Sequence, residues 1–148
     1  MDSLPVISPV AALVLFAIWT ILLVTLIGVW RVGQLLTGSV PQGGFKPGTQ
    51  HGSDTYWRLN RAHMNAVENL PIFATVVLAG LVLGVQDPMF QTLATVVLIA
   101  RVAQSLIHIS SGLQAVIMLR FMAYLVQVVA MLGLAVIDLK ASGFVLPF

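Results

Sequence analysis

Long apolar runs alternate with short polar connections along this chain. The first run, Val10 to Trp30, contains no charged residue and is closed by Arg31. A membrane-spanning helix needs about 20 such residues, so a first helix is expected over about residues 8–31. Residues 33–54 form the one extended connection, broken by Gly38, Pro41, Gly43, Gly44, Pro47, Gly48 and Gly52. Ser53 or Asp54 then caps a second helix, expected from about Thr55 to Val85. Gln86, Asp87 and Pro88 make a tight turn, with Asp87 as cap and Pro88 in the first helical position. A third helix follows to about Ile109, Ser110 to Gly112 turn the chain, and a fourth runs from Leu113 to about Leu139. A short tail with Gly143 and Pro147 ends it. The pattern predicts one all-α domain over residues 1–148, an integral-membrane antiparallel four-helix bundle.

Composition turns this pattern into a membrane assignment. Hydrophobic residues make up 59% of the 148 and charged residues 8%, against about a quarter charged in soluble domains. The mean hydropathy is +1.01. A net charge of +2 on so few ionisable groups is loop bias and not a nucleic-acid patch. Cysteine is absent, which excludes disulfides, a thiolate metal site and a protein thiol nucleophile. The N-terminus lacks the basic start and cleavage site of a signal peptide, so the first run is expected to be retained.

Basic residues near the helix ends set the expected orientation. Arg31, Lys46, Arg58 and Arg61 flank the long loop, whereas Asp2, Asp87, Asp138 and Lys140 lie on the other side. The positive-inside rule puts the first and third loops in the cytoplasm and both termini outside. In a bacterium the membrane would be the inner one.

Polar groups interrupt the helices in a regular way. At 100° per residue, Arg58, Arg61, Asn65 and Glu68 fall within about 80° of one another on the second helix. Glu68 lies about 18 Å from the helix start, near mid-membrane. Arg101, Gln104 and His108 repeat the stripe on the third helix, and Arg120, Tyr124 and Gln127 on the fourth. Three stripes at one depth imply one polar cavity open to the cytoplasm. Each residue also has a plainer reading. Arg31 and Arg58 read as interfacial anchors, Glu68 with Arg101 as a structural ion pair, and His108 as an interfacial side chain. Trp19, Trp30 and Trp57 read as belt or packing residues, and Met64 as packing. Yet intramembrane charges cost about 3 kcal/mol each even on lenient scales. Arg61, Arg101 and Arg120 against Glu68 leave a positive excess that an anionic ligand would neutralise. Gly28, Gly80, Gly84 and Gly133 offer small-residue patches for close helix contact within or between subunits.

The stretch R-A-H-M-N-A-V-E-N-L-P, Arg61 to Pro71, resembles the signature of the membrane-associated proteins in eicosanoid and glutathione metabolism (MAPEG), here of prokaryotic type. Arg61, Asn65, Glu68 and Pro71 match the spacing of that family's second helix. Arg101 is similar to its third-helix arginine, and Arg120 with Tyr124 to the fourth-helix pair of the enzymatic members. On the third helix this chain has Gln104 and His108 where several members have tyrosine or histidine. The segment from His108 to Arg120 is also longer than its eukaryotic counterparts.

The resemblance implies a homotrimer with glutathione as co-substrate in clefts between subunits, and membrane lipids around it. Arg31, Arg61, Asn65, Glu68, Arg101, Gln104 and His108 are then candidate glutathione contacts. Arg120 would hold the thiolate, with Tyr124 beside it, and no metal is required. The acceptor would be a lipophilic small molecule, an electrophile or peroxide, arriving from the bilayer. Pro71 removes a backbone donor just beyond these residues. A glutathione-dependent transferase or peroxidase is the leading function. A non-catalytic lipid-binding or scaffold member is the alternative, and a small four-helix transporter using Glu68 as a proton-coupled carboxylate is a third.

Overall fold

The computed structural model describes residues 6–41, 44–46 and 48–144. Asp2, Gly43, Pro47 and Pro147, used above for orientation and loop breaks, lie outside the described residues. Four helices follow one another: α1 (Pro9–Leu36), α2 (Asp54–Val82), α3 (Pro88–Ser110) and α4 (Gln114–Ala141). The described residues contain no strand. All four helices are long and apolar enough to cross a membrane.

The helix starts follow local chemistry. Ser53, not Asp54, caps α2 and accepts from the Tyr56 amide. Asp87 caps α3 by accepting from the Met89 amide at 2.8 Å, with Pro88 next to it. Such side chains satisfy amide donors that have no partner inside the helix.

Two helix ends differ from expectation. α1 does not stop at Arg31 but continues to Leu36, because a single arginine at a membrane boundary removes no backbone hydrogen bond. It ends where Gly38 turns left-handed at φ 66°, and the Ser39 amide closes back on Gln34 O at 2.9 Å. α2 stops at Val82, short of Val85. Gly84 takes φ 68° and the Val85 amide returns to Gly80 O, a glycine helix stop. α3 and α4 extend to Ser110 and Ala141, slightly beyond the expected ends.

α2 and α3 form the centre of the bundle. Each packs against all the other helices, whereas α1 and α4 make no direct contact among the described residues. Phe16 of α1 and Phe73 of α2 meet with ring centroids 5.5 Å apart, and Leu23, Val77, Val97 and Leu134 complete a buried core. The outer faces of α1 and α4 stay apolar and uncovered, with Ile21 60% and Leu132 61% exposed. Apolar faces of this extent belong in hydrocarbon or against another chain.

The glycines divide into two kinds. A Cβ at Gly80 would overlap the Phe90 ring and lie 2.8 Å from Asp138 Oδ1, and one at Gly133 would lie 2.9 Å from Leu93 Cδ1. Both therefore serve contacts within the chain. Gly28 has open space around it, and Gly84 ends a helix. Asp138, expected among the outer-side charges, is buried against Gly80, with neither carboxylate oxygen partnered among the described residues.

The glycine geometry separates two substitutions. Gly80→Ala overpacks the α2–α3–α4 junction and should cost about 1–3 kcal/mol, whereas Gly28→Ala should cost none. Thermal unfolding in detergent should show a lower midpoint for the first alone; equal midpoints would remove the close approach at Gly80.

Candidate functional site

A cavity of about 470 Å³ opens at the end of the bundle where α2 begins, α3 ends and α4 begins. Small-molecule sites occupy roughly this range of volume. α2 contributes Trp57, Arg58, Arg61, Asn65, Glu68 and Asn69 to its wall. α3 contributes Gln104 and His108, and α4 contributes Arg120, Phe121 and Tyr124. The antiparallel packing of consecutive helices brings the stripes together. Each stripe lies within a few turns of the same end of its helix.

The polar side chains in this wall differ in how they are held. Arg58 directs Nε to Ile109 O at 3.1 Å and NH2 to Thr55 Oγ1 at 3.0 Å. It thus satisfies a carbonyl in the last turn of α3, where a positive charge is also favoured by the helix dipole. This is a defined interhelical role, unlike that of a freely snorkelling anchor. Asn69 donates to Asn65 O at 2.7 Å. Arg120 NH1 lies 2.9 Å from His108 Nε2. Pro71 lies within α2, and the helix continues through it although its missing amide leaves the Val67 carbonyl without that helical donor.

Two expected site residues, Arg101 and Arg31, and the stripe residue Gln127 lie elsewhere or change role. Arg101 does not line the cavity. It is fully buried, donates to Gln104 Oε1 and stands 5.6 Å from the centroid of the Phe16 ring. Its Nε and NH2 have no partner among the described residues, so the ion pair with Glu68 is not formed. Gln127 is also fully buried, with neither amide atom partnered among the described residues. Arg31 sits in an aromatic cluster instead. Its Nε donates to the Tyr56 hydroxyl at 2.9 Å, and its guanidinium lies 5.4 Å from the Phe45 ring centroid. Tyr56 in turn stacks on Trp30 at 3.7 Å.

Asn69, Trp57 and Phe121 join the wall without having been singled out for it. Asn69 was legible, since eleven residues at 100° each return it to about 20° from Arg58. Trp57 and Phe121 carry no such signal; an aromatic beside an arginine suits a membrane boundary equally well.

The cavity has a clear electrical character. Arg58, Arg61 and Arg120 face it against Glu68, the one carboxylate in the wall among the described residues. Walls of low dielectric strengthen that excess, and a ligand carrying several negative groups together with one amine would complement it.

Comparison with known proteins agrees with the signature in α2. The sequence profile described as the MAPEG family matches residues 9–139. No curated protein matches the chain.

The role of Arg58 at the α3 terminus has a measurable consequence. Arg58→Met keeps the aliphatic stem but removes both hydrogen bonds, and should cost about 1 kcal/mol or more of stability. Thermal unfolding without ligand checks this, and an unchanged midpoint would reduce Arg58 to an electrostatic role.

Proposed function

The chain belongs to the MAPEG family, and from that membership we propose that it is a glutathione-dependent transferase or peroxidase of the membrane. The observation that carries this reading is a convergence. Arg61, Asn65 and Glu68, spaced as in the family's second-helix signature, share one cavity with Arg120 and Tyr124.

In this reading Arg61 binds a glutathione carboxylate, Glu68 the γ-glutamyl amine, and Asn65 bridges between them. Gln104 adds a polar contact from α3. Arg31 and Arg101 fall outside the ligand set. Arg31 is engaged by Tyr56, and Arg101 acts from beneath by holding Gln104.

Arg120 faces the sulfur. A free thiol has a pKa of about 8.5, and a guanidinium in a low-dielectric wall favours the thiolate. The thiolate attacks an electrophilic carbon, a C–S bond forms, and the leaving group departs with the electron pair of the bond it gives up. With a hydroperoxide, two glutathione molecules yield the alcohol, water and the disulfide. Tyr124, about one turn along α4, donates a hydrogen bond to the sulfur or to the leaving group. The lipophilic substrate arrives through the bilayer. The basic residues around the first loop support a cytoplasmic cavity, where glutathione is abundant.

The family resemblance and the uncovered faces of α1 and α4 support a homotrimer. Cross-linking in mild detergent should stop at three chains, and a monomer or dimer by native mass measurement would overturn it.

Substitutions separate binding from activation. Arg61→Ala or Glu68→Gln should weaken glutathione binding at least about tenfold, as expected for one charge-assisted hydrogen bond. Arg120→Ala should instead lower turnover of an aromatic electrophile more than it lowers affinity, with less thiolate ultraviolet absorbance on mixing. Unchanged affinity in folded Arg61→Ala and Glu68→Gln proteins would make the α2 stripe structural. Unchanged thiolate formation would remove Arg120 as activator.

A further inference from the structure

The bond between Arg120 and His108 crosses from α4 to α3 over the turn at residues 111–113, with NH1 and Nε2 2.9 Å apart. A guanidinium has only donors. Nε2 is therefore the acceptor in this contact, with a neutral imidazole whose proton sits on Nδ1, an atom buried without a partner among the described residues. The other tautomer would set two N–H groups head to head. A doubly protonated ring would do the same and add a cation.

We propose that His108 is a positioning residue, whose neutral imidazole holds the Arg120 guanidinium against the cavity. The proposal rests on the glutathione reading for its catalytic consequence but not for the bond itself.

The surroundings explain why such a tether is needed. From α2, Arg58, Arg61 and Glu68 face the same cavity as His108, and from α4 Arg120 and Tyr124 do. Repulsion from Arg58 and Arg61 pushes Arg120 outwards, and a long arginine stem readily carries its head towards the membrane surface. His108, only 7% exposed, opposes this from a rigid helix. A carboxylate could also hold the arginine, but it would cancel the charge that a thiolate requires. A neutral acceptor holds the guanidinium and leaves its charge available.

The test combines one measurement that needs no ligand with two variants. In protein ¹⁵N-labelled at histidine, in detergent at neutral pH, the His108 signal should be that of the Nδ1–H tautomer. Its absence from the His108→Gln protein assigns it. The glutamine variant offers an amide oxygen as acceptor and should form glutathione thiolate within about threefold of wild type. His108→Leu offers none and should lose about tenfold or more, the scale of one hydrogen bond to a charged group. Glutathione affinity should change less than thiolate formation in both. An Nε2–H or doubly protonated His108 would overturn the proposal, as would full thiolate formation in the leucine variant. A general packing role would make the two variants fail alike, and that result would overturn it too. If wild type binds no glutathione, the proposed function falls, while the tautomer still decides the His108–Arg120 bond.

Discussion

Placing a guanidinium within a membrane-spanning helix costs about 3 kcal/mol even on lenient scales, and much of this bundle's polar half is arranged around that cost. Arg58 meets it with the Ile109 carbonyl and the Thr55 hydroxyl. Arg31 meets it with the Tyr56 hydroxyl and the face of Phe45. Arg120 meets it with an imidazole from the neighbouring helix. Arg101, the most deeply buried, has Gln104 and the Phe16 ring. None of these partners carries a negative charge. These arginines are thus held in position with their charge intact, and two of them, Arg58 and Arg120, face the cavity.

The bundle is correspondingly asymmetric along its length. At the cavity end, long polar side chains separate the helices and leave a volume of about 470 Å³. Further along, Gly80 and Gly133 admit Phe90 and Leu93 to close contact, and aromatic and branched side chains fill the interior. The packed half gives α2, α3 and α4 a fixed relation, so the arginines at the other end point into one space. Burial of the apolar core supplies rigidity, and the polar end uses it.

Charge and shape together narrow the chemistry. Three arginines against Glu68 suit a ligand with more than one anionic group and an amine. Arg120 and Tyr124 set a cation and a phenol from α4 on the same wall. Trp57 and Phe121 add apolar surface to the wall.

The number of spanning helices and the grouping of polar residues into stripes were determined by sequence alone. Both arise from constraints local to one helix: about 20 apolar residues are needed to span a bilayer, and a period of 3.6 residues selects one face. The family signature from Arg61 to Pro71 was equally local. Gly84 could have marked the end of α2 in the same way, since a glycine after the last apolar turn is a stop signal. Tertiary structure alone decided which arginine faces the cavity and which does not. Arg31 and Arg101 look like Arg61 and Arg120 in sequence. What separates them is the partner supplied by another helix: Tyr56 for Arg31, Phe16 for Arg101 and His108 for Arg120. Those pairings depend on how the helices are rotated against one another. That rotation is set by packing at distant positions such as Gly80 on Phe90, which no periodicity along a single helix records.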